Sequence, residues 1–475
     1  MKKYIILGML TICLFGSFKP KDKQLPNIVL VMSDDQGWGQ VGYYNHPILK
    51  TPNIDAMAVN GLRLDRFYAG APVCSPTRAS VLTGRVNDRS AVYSHGVPMR
   101  TQERTIIQLL KDAGYQTAHF GKWHLDGLRG PGVPIFKEDK RNPGFFGFEE
   151  WLSVTNFFDI DPLMSRNGEL VEYKGSSSEI IVNEALKYIE EHKDKPFCAV
   201  IWYGSPHDPW SSLDSDKQDL PEDLKKTEKN YLGEIVEIDK SIGVLRKGLK
   251  DMELADNTLV WFNSDNGGLP IGRKAGVGGL KGFKGSMFEG GIRVPCVIEW
   301  PQKIKGGKVS KLPASTMDIF PTLASIVGIS SDKMVKPLDG ISIMNLFDSE
   351  DTSRKEPIPF KHMNKGALID NDFKLLVKNI RKKDYALYDL HNDKRESIDV
   401  AEQYPEKFQQ LVEYYEKWLM SVKNSVAGKD YENGLIEPDP KSKFWWDTPM
   451  YEPYIDQWKD RSEYKNRLKK ANKIE

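Results

Sequence analysis

Cysteine is scarce in this chain, at four in 475 residues. Four scattered positions make no disulfide framework, and no Cys or His cluster has the spacing of a zinc site. Charge of one sign is also lacking. Lys and Arg number 67 against 66 Asp and Glu, leaving a formal charge of +1. No global field favours nucleic acid or an anionic membrane, so any anionic ligand must be held by a local cluster. Past the first residues, no apolar stretch is long enough to span a bilayer. Internal repeats and low-complexity tracts are absent too. What remains is 40% hydrophobic and 11% aromatic, the composition of a core-forming chain. Its length fits one large domain plus a smaller one.

The start of the chain reads as a targeting segment. Lys2 and Lys3 precede an apolar run over residues 4–15, then Gly16 and Ser17. This is the order of a secretory signal, assigned to residues 1–18, and it predicts export to the periplasm or the exterior. Leu10-Thr11-Ile12-Cys13 offers a second reading, a lipoprotein box with Cys13 lipidated at the cell surface. Ile12 is bulky where such a box takes a small residue, which ranks that reading lower. Cys198 and Cys296 lie in apolar runs and read as small core hydrophobes. Cys74 differs, because it sits in a Pro- and Gly-flanked turn close to Arg78.

Apolar runs of strand length alternate with segments of helical period. Residues 27–32, 116–120, 197–203 and 258–262 read as strands buried on both faces. Residues 105–113, 179–192 and 231–249 read as amphipathic helices, the first leading into Gly114. The alternation predicts an α/β fold, a large mostly parallel sheet sandwiched by helices. Residues 127–162 are rich in Gly, Pro and aromatics and read as a substrate loop or lid. Within it Trp151 and Phe158, and beyond it Trp210, fit either core aromatics or sugar-stacking platforms. The charged run at 348–355 marks a boundary between a catalytic domain, 25–350, and a C-terminal α+β subdomain with an aromatic tail, 356–475. Strands are expected there at 366–369, 374–377 and 385–388, and a helix at 405–422. The tail, with Phe444, Trp445, Trp446 and Trp458, is expected to wrap the main body.

Polar clusters follow the four core strands. Asp34 and Asp35 follow the first, Lys122 and His124 the second, His207 the third, and Asp265 and Asn266 the fourth. Ligands of open α/β sheets bind outside the carboxyl ends of the strands, so parallel neighbours would turn all four clusters to one crevice. Three carboxylates brought together repel unless protons or a cation neutralise them. The amide oxygen of Asn266 favours a cation, and an all-oxygen set selects a hard ion such as calcium. Cys74-Ser75-Pro76-Thr77-Arg78 reads as a helix start, with Ser75 as cap, Pro76 in the first turn and Gly84 as the stop. The positive end of a helix beside Arg78 would favour an anion and lower the Cys74 thiol pKa. A buried structural cysteine is the bland alternative, and the residues alone make Cys74 a candidate nucleophile and no more.

Cys74-Ser75-Pro76-Thr77-Arg78 with Leu82-Thr83-Gly84-Arg85 resembles the formylglycine signature of the type I sulfatases, in the alkaline phosphatase superfamily. Asp34-Asp35, Gly121-Lys122-Trp123-His124, Pro206-His207, Ser264-Asp265-Asn266-Gly267, Lys284-Gly285, the segment from Glu289 to Pro295, and Leu387-Tyr388-Asp389-Leu390 follow in that family's order. The resemblance implies that Cys74 is oxidised to formylglycine by a maturation enzyme and that its hydrated aldehyde is the nucleophile. It implies one calcium ion held by Asp34, Asp35, Asp265, Asn266 and residue 74. Asp265 would be the base, and Arg78, Lys122 and Lys284 would bind the sulfate. His124 would act at the nucleophile and His207 would protonate the leaving oxygen. Export and aromatic loops suggest a sulfated poly- or oligosaccharide as substrate. The alternatives are a formylglycine-dependent phosphoester or phosphonate hydrolase and a sulfated-glycan binding protein without turnover.

Overall fold

The segment Asn27–Ser33 (β1) is buried at every position, as are Phe197–Trp202 (β3) and Thr258–Ser264 (β4), while Gln116–Lys122 (β2) is buried after its first residue. The apolar runs of β1, β3 and β4 fit a sheet covered on both faces, and β2 is buried with them despite Thr117, His119 and Lys122. The computed structural model describes residues 25–271, 276–349, 353–436, 438–439 and 441–475. The expected signal segment, with Lys2, Lys3 and Cys13, lies outside them, as does part of the charged run at 348–355.

β1 lies between β4 and β3 in parallel register, and β3 pairs in parallel with β2. The four strands read from the sequence are therefore contiguous, in the order β4-β1-β3-β2, at the centre of a ten-stranded sheet. Both edges turn antiparallel: Cys296–Glu299 pairs with β4, and Leu163–Arg166 with the strand Glu150–Val154. The last of these corrects the expectation for residues 127–162. Glu150–Val154 pairs in parallel with β2 inside the sheet, so this stretch is partly framework rather than a lid.

The helices Ile106–Asp112 (α2), Ser177–His192 (α3) and Lys226–Asp251 (α4) form where helical spacing places them. Thr105 caps α2 in a capping box with Gln108, which satisfies two amide groups that the first turn leaves open. Gly114 follows with φ 92°. α3 and α4 pack together on one face of the sheet through Ile181, Ala185, Ile238 and Ile242, all fully or almost fully buried. The other face is covered by α2 and by Cys74–Thr83 (α1), whose ten residues are all buried. Cys198 and Cys296 are buried free thiols in that core, as their apolar settings imply.

Beyond the large sheet, Ile358–His362 (β5), Lys365–Asp370 (β6), Phe373–Asn379 (β7) and Asp384–Asp389 (β8) make a four-stranded antiparallel sheet covered by Pro405–Val426 (α5). The first of these strands was not read from the sequence, since Pro357 and Pro359 mask it. Pro359 is tolerated because β5 is an edge strand. The aromatic tail wraps back as expected. Trp445, Tyr451, Trp458 and Tyr464 bury themselves against Leu128, Val133, Phe136 and Leu163. Tyr451 and Tyr464 donate their hydroxyls to the carbonyls of Pro134 (2.8 Å) and Gly132 (2.7 Å). No helix among the described residues is long and apolar enough to cross a membrane.

Candidate active site

At the carboxyl ends of β1 to β4 the four polar clusters meet in one crevice. Three cations interlock there with three carboxylates. Lys122 Nζ pairs with Asp34 Oδ2, and Lys284 Nζ lies 2.7 Å from Asp35 Oδ2. The Arg78 guanidinium donates to Asp265 Oδ2 at 2.9 Å and to the Lys122 carbonyl at 2.9 Å, and stands 3.6 Å from Asp34 Oδ2. Arg78, Lys122, Asp34, Asp35 and Asp265 have fully buried side chains. Ions so deep persist only as pairs with further hydrogen bonds, and these supply both. Beneath Arg78 lies the Trp202 ring, 5.1 Å from the guanidinium carbon. That aromatic floor went unread because Trp202 sits in an apolar strand like any core residue.

Asp35, Asp265 and Asn266 are also bonded directly to one another. Asp35 N–H donates to Asp265 Oδ1 at 3.2 Å, and Asn266 Nδ2 donates to Asp35 Oδ1 at 2.7 Å. Asp35 has a left-handed backbone, φ 64°, which an Asp accepts more readily than most residues. Gly267 follows Asn266 where a Cβ would fall 1.9 Å from the Gly290 carbonyl oxygen, so only glycine fits that approach. Two oxygens in the crevice, Asp34 Oδ1 and Asn266 Oδ1, are buried without any hydrogen-bond partner. Ligand atoms of Asp34, Asp35 and His207 lie within 4.8 Å of one another. Orphaned oxygens beside clustered carboxylates fit a hard divalent cation. His207 enters that cluster, which the sequence reading had not foreseen.

Cys74 is the first residue of α1, and its Sγ lies 3.2 Å from His124 Nδ1. Two expectations change here. Ser75 is no cap: the N-cap is Val73, and Ser75 Oγ instead accepts the Gly96 N–H at 2.8 Å. Nor is the thiol acidic. Burial pushes it up, and although Lys122 and Lys284 pull the other way they do not offset the desolvation. α1 ends as expected at Gly84, φ 68°.

His124 has a left-handed backbone, φ 58°, and is positioned by its neighbour Trp123. Trp123 is fully buried, donates its backbone N–H to Val154 O at 2.9 Å, and its indole N–H to Arg141 O at 2.8 Å. Burial, then Lys122 and Arg78, holds the His124 imidazole well below its usual pKa, so it is neutral. His207 is likewise lowered, by burial first and then Lys284, against the pull of Asp35 and Asp34. Its Nδ1 is 2.6 Å from Asp208 O, a contact in which nitrogen must donate, and its ring stacks on Phe157 at 4.8 Å and 6°. Nε2 is thereby turned toward Asp35, 3.9 Å away. For Asp34, burial alone would raise the carboxyl, but Lys122, His207 and Arg78 outweigh it and hold it well below the carboxylate range. Asp265 moves the other way, to about 7, through burial and the charge of Asp34.

Of the undecided aromatics, Trp151 and Phe158 are buried core residues, whereas Trp210 is only partly buried and donates its indole N–H to Pro206 O at 3.0 Å. A second buried network supports the crevice from outside. Lys374 Nζ lies 3.0 Å from both Glu289 and Glu396, and Glu289 also accepts from Tyr68 and faces Arg293. Of these, Glu289 and Arg293 belong to a motif read from the sequence without a role and Lys374 to an expected strand, while Tyr68 and Glu396 carry no sequence signal.

Comparison with known proteins agrees with this geometry. The family model described as Sulfatase matches residues 26–329, and one described as N-sulphoglucosamine sulphohydrolase, C-terminal, matches residues 282–425. The chain is 32% identical to the human N-acetylgalactosamine-6-sulfatase over 68% of its own length and 65% of that protein. It is 30% identical to an ulvan-active sulfatase of Formosa agariphila over 69% of its length and 66% of that protein. It thus spans just under two thirds of these curated relatives. The crystal structure of Ps i-CgsB in complex with k-i-k-neocarrahexaose superposes with a TM-score of 0.75 at 26% identity, covering 93% of this chain and 99% of that one. That likeness extends to the parallel sheet with helices on both faces and the separate small C-terminal sheet, the alkaline phosphatase-like architecture. A family model matched over most of the chain, on a crevice of this composition, means that the chain belongs to the type I sulfatases.

Proposed function

We propose that this protein hydrolyses sulfate esters on carbohydrates, with Cys74 oxidised to formylglycine by a maturation enzyme and with one bound calcium ion. The observation that carries the reading is the placement of Cys74 at the buried start of α1, with Arg78 one turn in and Lys122 and Lys284 close enough to act on its charge. The substrate class is supported by the relatives, whose names include N-acetylgalactosamine-6-sulfatase and ulvan-active sulfatase, and by the neocarrahexaose complex of a structural neighbour. Asp34, Asp35, Asp265 and Asn266, with residue 74, would hold the calcium. When present, the hydrated aldehyde at position 74 would supply an attacking oxygen and the bound calcium would polarise the sulfate.

The chain's own side chains do the rest. Arg78, Lys122 and Lys284 bring three positive charges to the oxygens of the sulfate, where charge is held through the displacement in a water-poor site. Each cation is already fixed on a carboxylate, so little reorganisation is needed. Asp265 takes a proton at position 74. His124 faces the same atom at hydrogen-bond distance and moves the proton when sulfate leaves. His207, with Nδ1–H held on Asp208 O, presents Nε2, which protonates the departing sugar oxygen from the imidazolium form that the charges of Asp35 and Asp34 favour. Export rests on Lys2, Lys3 and the apolar run that follows.

The test is turnover of an aryl sulfate against the matching aryl phosphate by matured protein with calcium. Preference for the sulfate, lost in Cys74→Ala, supports the reading. Preference for the phosphate makes the protein a phosphoester hydrolase, and no turnover of sulfated oligosaccharides or aryl sulfate leaves a binding protein.

A further inference from the structure

The C-terminal tail does more than cover the main body. Residues 426–475 lie beyond both family matches, yet Phe444 of this tail meets Arg129, which contacts His95 near the turn that carries Cys74. The short strand Lys443–Phe444 pairs in parallel with Leu128–Arg129, and Lys443 N–H donates to Gly127 O at 3.0 Å. This pairing sets the Phe444 ring under Arg129, 5.3 Å from the guanidinium carbon. Phe444 is 40% exposed, although its ring stacks on buried Trp446 at 4.7 Å. Burial of the neighbouring Trp445 and Trp446 anchors the strand and leaves Phe444 outward.

Arg129 is also tied to the nucleophile turn. Its guanidinium lies 3.2 Å from His95 Nε2, and its stem packs against Gly96, where a Cβ would come within 2.9 Å of Arg129 Cγ. Gly96 N–H in turn bonds Ser75, next to Cys74. His95 is lowered by part-burial and then by Arg129, Lys284 and Lys122, so one imidazole feels both the rim cation and the sulfate-site cations. Among the described residues Arg129 has no carboxylate partner, unlike Arg78, Arg85, Arg89 and Arg100. An arginine held between a ring and an imidazole, with donors left over, is built to receive an anion.

We propose that Arg129 and His95 form a subsite for the sugar next to the one being desulfated, with Arg129 as receptor for an anionic group on that sugar and Phe444, held between Trp446 and Arg129, fixing the guanidinium in place. This rests on the carbohydrate sulfatase reading. The anion is a carboxylate or a second sulfate, and the two give the same ion pair. The tail would then select multiply charged oligosaccharides over isolated sulfate esters.

The test measures binding in calcium, with the inactive Cys74→Ala protein as background. The probes are a chondroitin 6-sulfate tetrasaccharide (flanking carboxylate), an iota-carrageenan tetrasaccharide (flanking sulfate) and an aryl sulfate without neighbour. Arg129→Ala should weaken one tetrasaccharide by about ten-fold, the loss of one charge-assisted pair, and affect the aryl sulfate far less. Phe444→Ala should weaken the same probe, and Arg129→Lys should restore part of the affinity. The tetrasaccharide that responds identifies the anion. Equal losses on all three probes, or no tetrasaccharide bound more tightly than the aryl sulfate, overturns the subsite. A binding difference that survives while the Cys74 protein desulfates nothing sinks the hydrolase reading instead and leaves the subsite standing.

Discussion

Cys74 Sγ and His124 Nδ1 lie 3.2 Å apart, although 50 residues separate them in the chain. Burial raises the thiol and lowers the imidazole, so neither is charged and they do not form the thiolate–imidazolium pair of a cysteine nucleophile. An unmodified Cys74 is thus poorly suited to attack a sulfate ester. Cys74→Ala should lose at least about 10³-fold in kcat/KM while keeping its fold. Retention of more than a tenth of the activity would show that the nucleophile lies elsewhere.

Divalent cation binding should stabilise the fold as well as enable turnover. The orphaned Asp34 Oδ1 and Asn266 Oδ1 would gain a partner in a bound ion. Chelation should lower both Tm and activity, and calcium at about 100-fold over its Kd should return ~2.7 kcal/mol of stability. Asn266→Ala should shrink the calcium-induced rise in Tm. A Tm indifferent to chelator and calcium would argue against the site.

Lys374 is buried between Glu289 and Glu396 and links the small sheet to the segment behind the crevice. Lys374→Met leaves two buried carboxylates facing each other, at a cost of about 3 kcal/mol or more. Because Gly290 O packs against Gly267, beside Asn266, activity should fall with stability. Denaturant unfolding checks the first part. A loss below about 1 kcal/mol would contradict it.

Stability should fall as pH rises, partly through Glu237. Burial, then Asp216, pushes its carboxyl up to about 8, with Ser178 N–H pulling weakly the other way. An acid raised on folding contributes stability that is complete below its unfolded pKa and lost as pH climbs through the folded value. Tm should therefore decline between about pH 5 and pH 9, and Glu237→Gln should flatten the decline, with its gain confined to the alkaline side. An equal gain at both ends of that range would rule out titration as the cause.

The centre of the fold was legible because β1, β3 and β4 carry apolar runs of four or more residues, which fit a doubly covered parallel sheet. β2 carries Gln116, Thr117, His119 and Lys122 and is nonetheless buried after its first position. The crevice followed from them, since Asp34, Lys122, His207 and Asp265 sit at equivalent strand ends. Pairings within it were not readable. Lys284 meets Asp35 across 249 residues, and nothing local marks that contact. Trp151 was read toward a lid because Gly and Pro around it obscure a short strand whose partner residues in β2 lie 32 positions away in sequence. Ser75 was read as a cap from its residue type, but the tertiary bond to Gly96 takes precedence over that local preference.

The most direct test is mass spectrometry of the peptide bearing position 74, taken from protein whose turnover of a sulfated oligosaccharide has been measured on the same sample. Activity should rise in proportion to the fraction carrying an aldehyde in place of the thiol, and reach zero where that fraction does. Full activity from protein whose Cys74 thiol is intact would contradict the account.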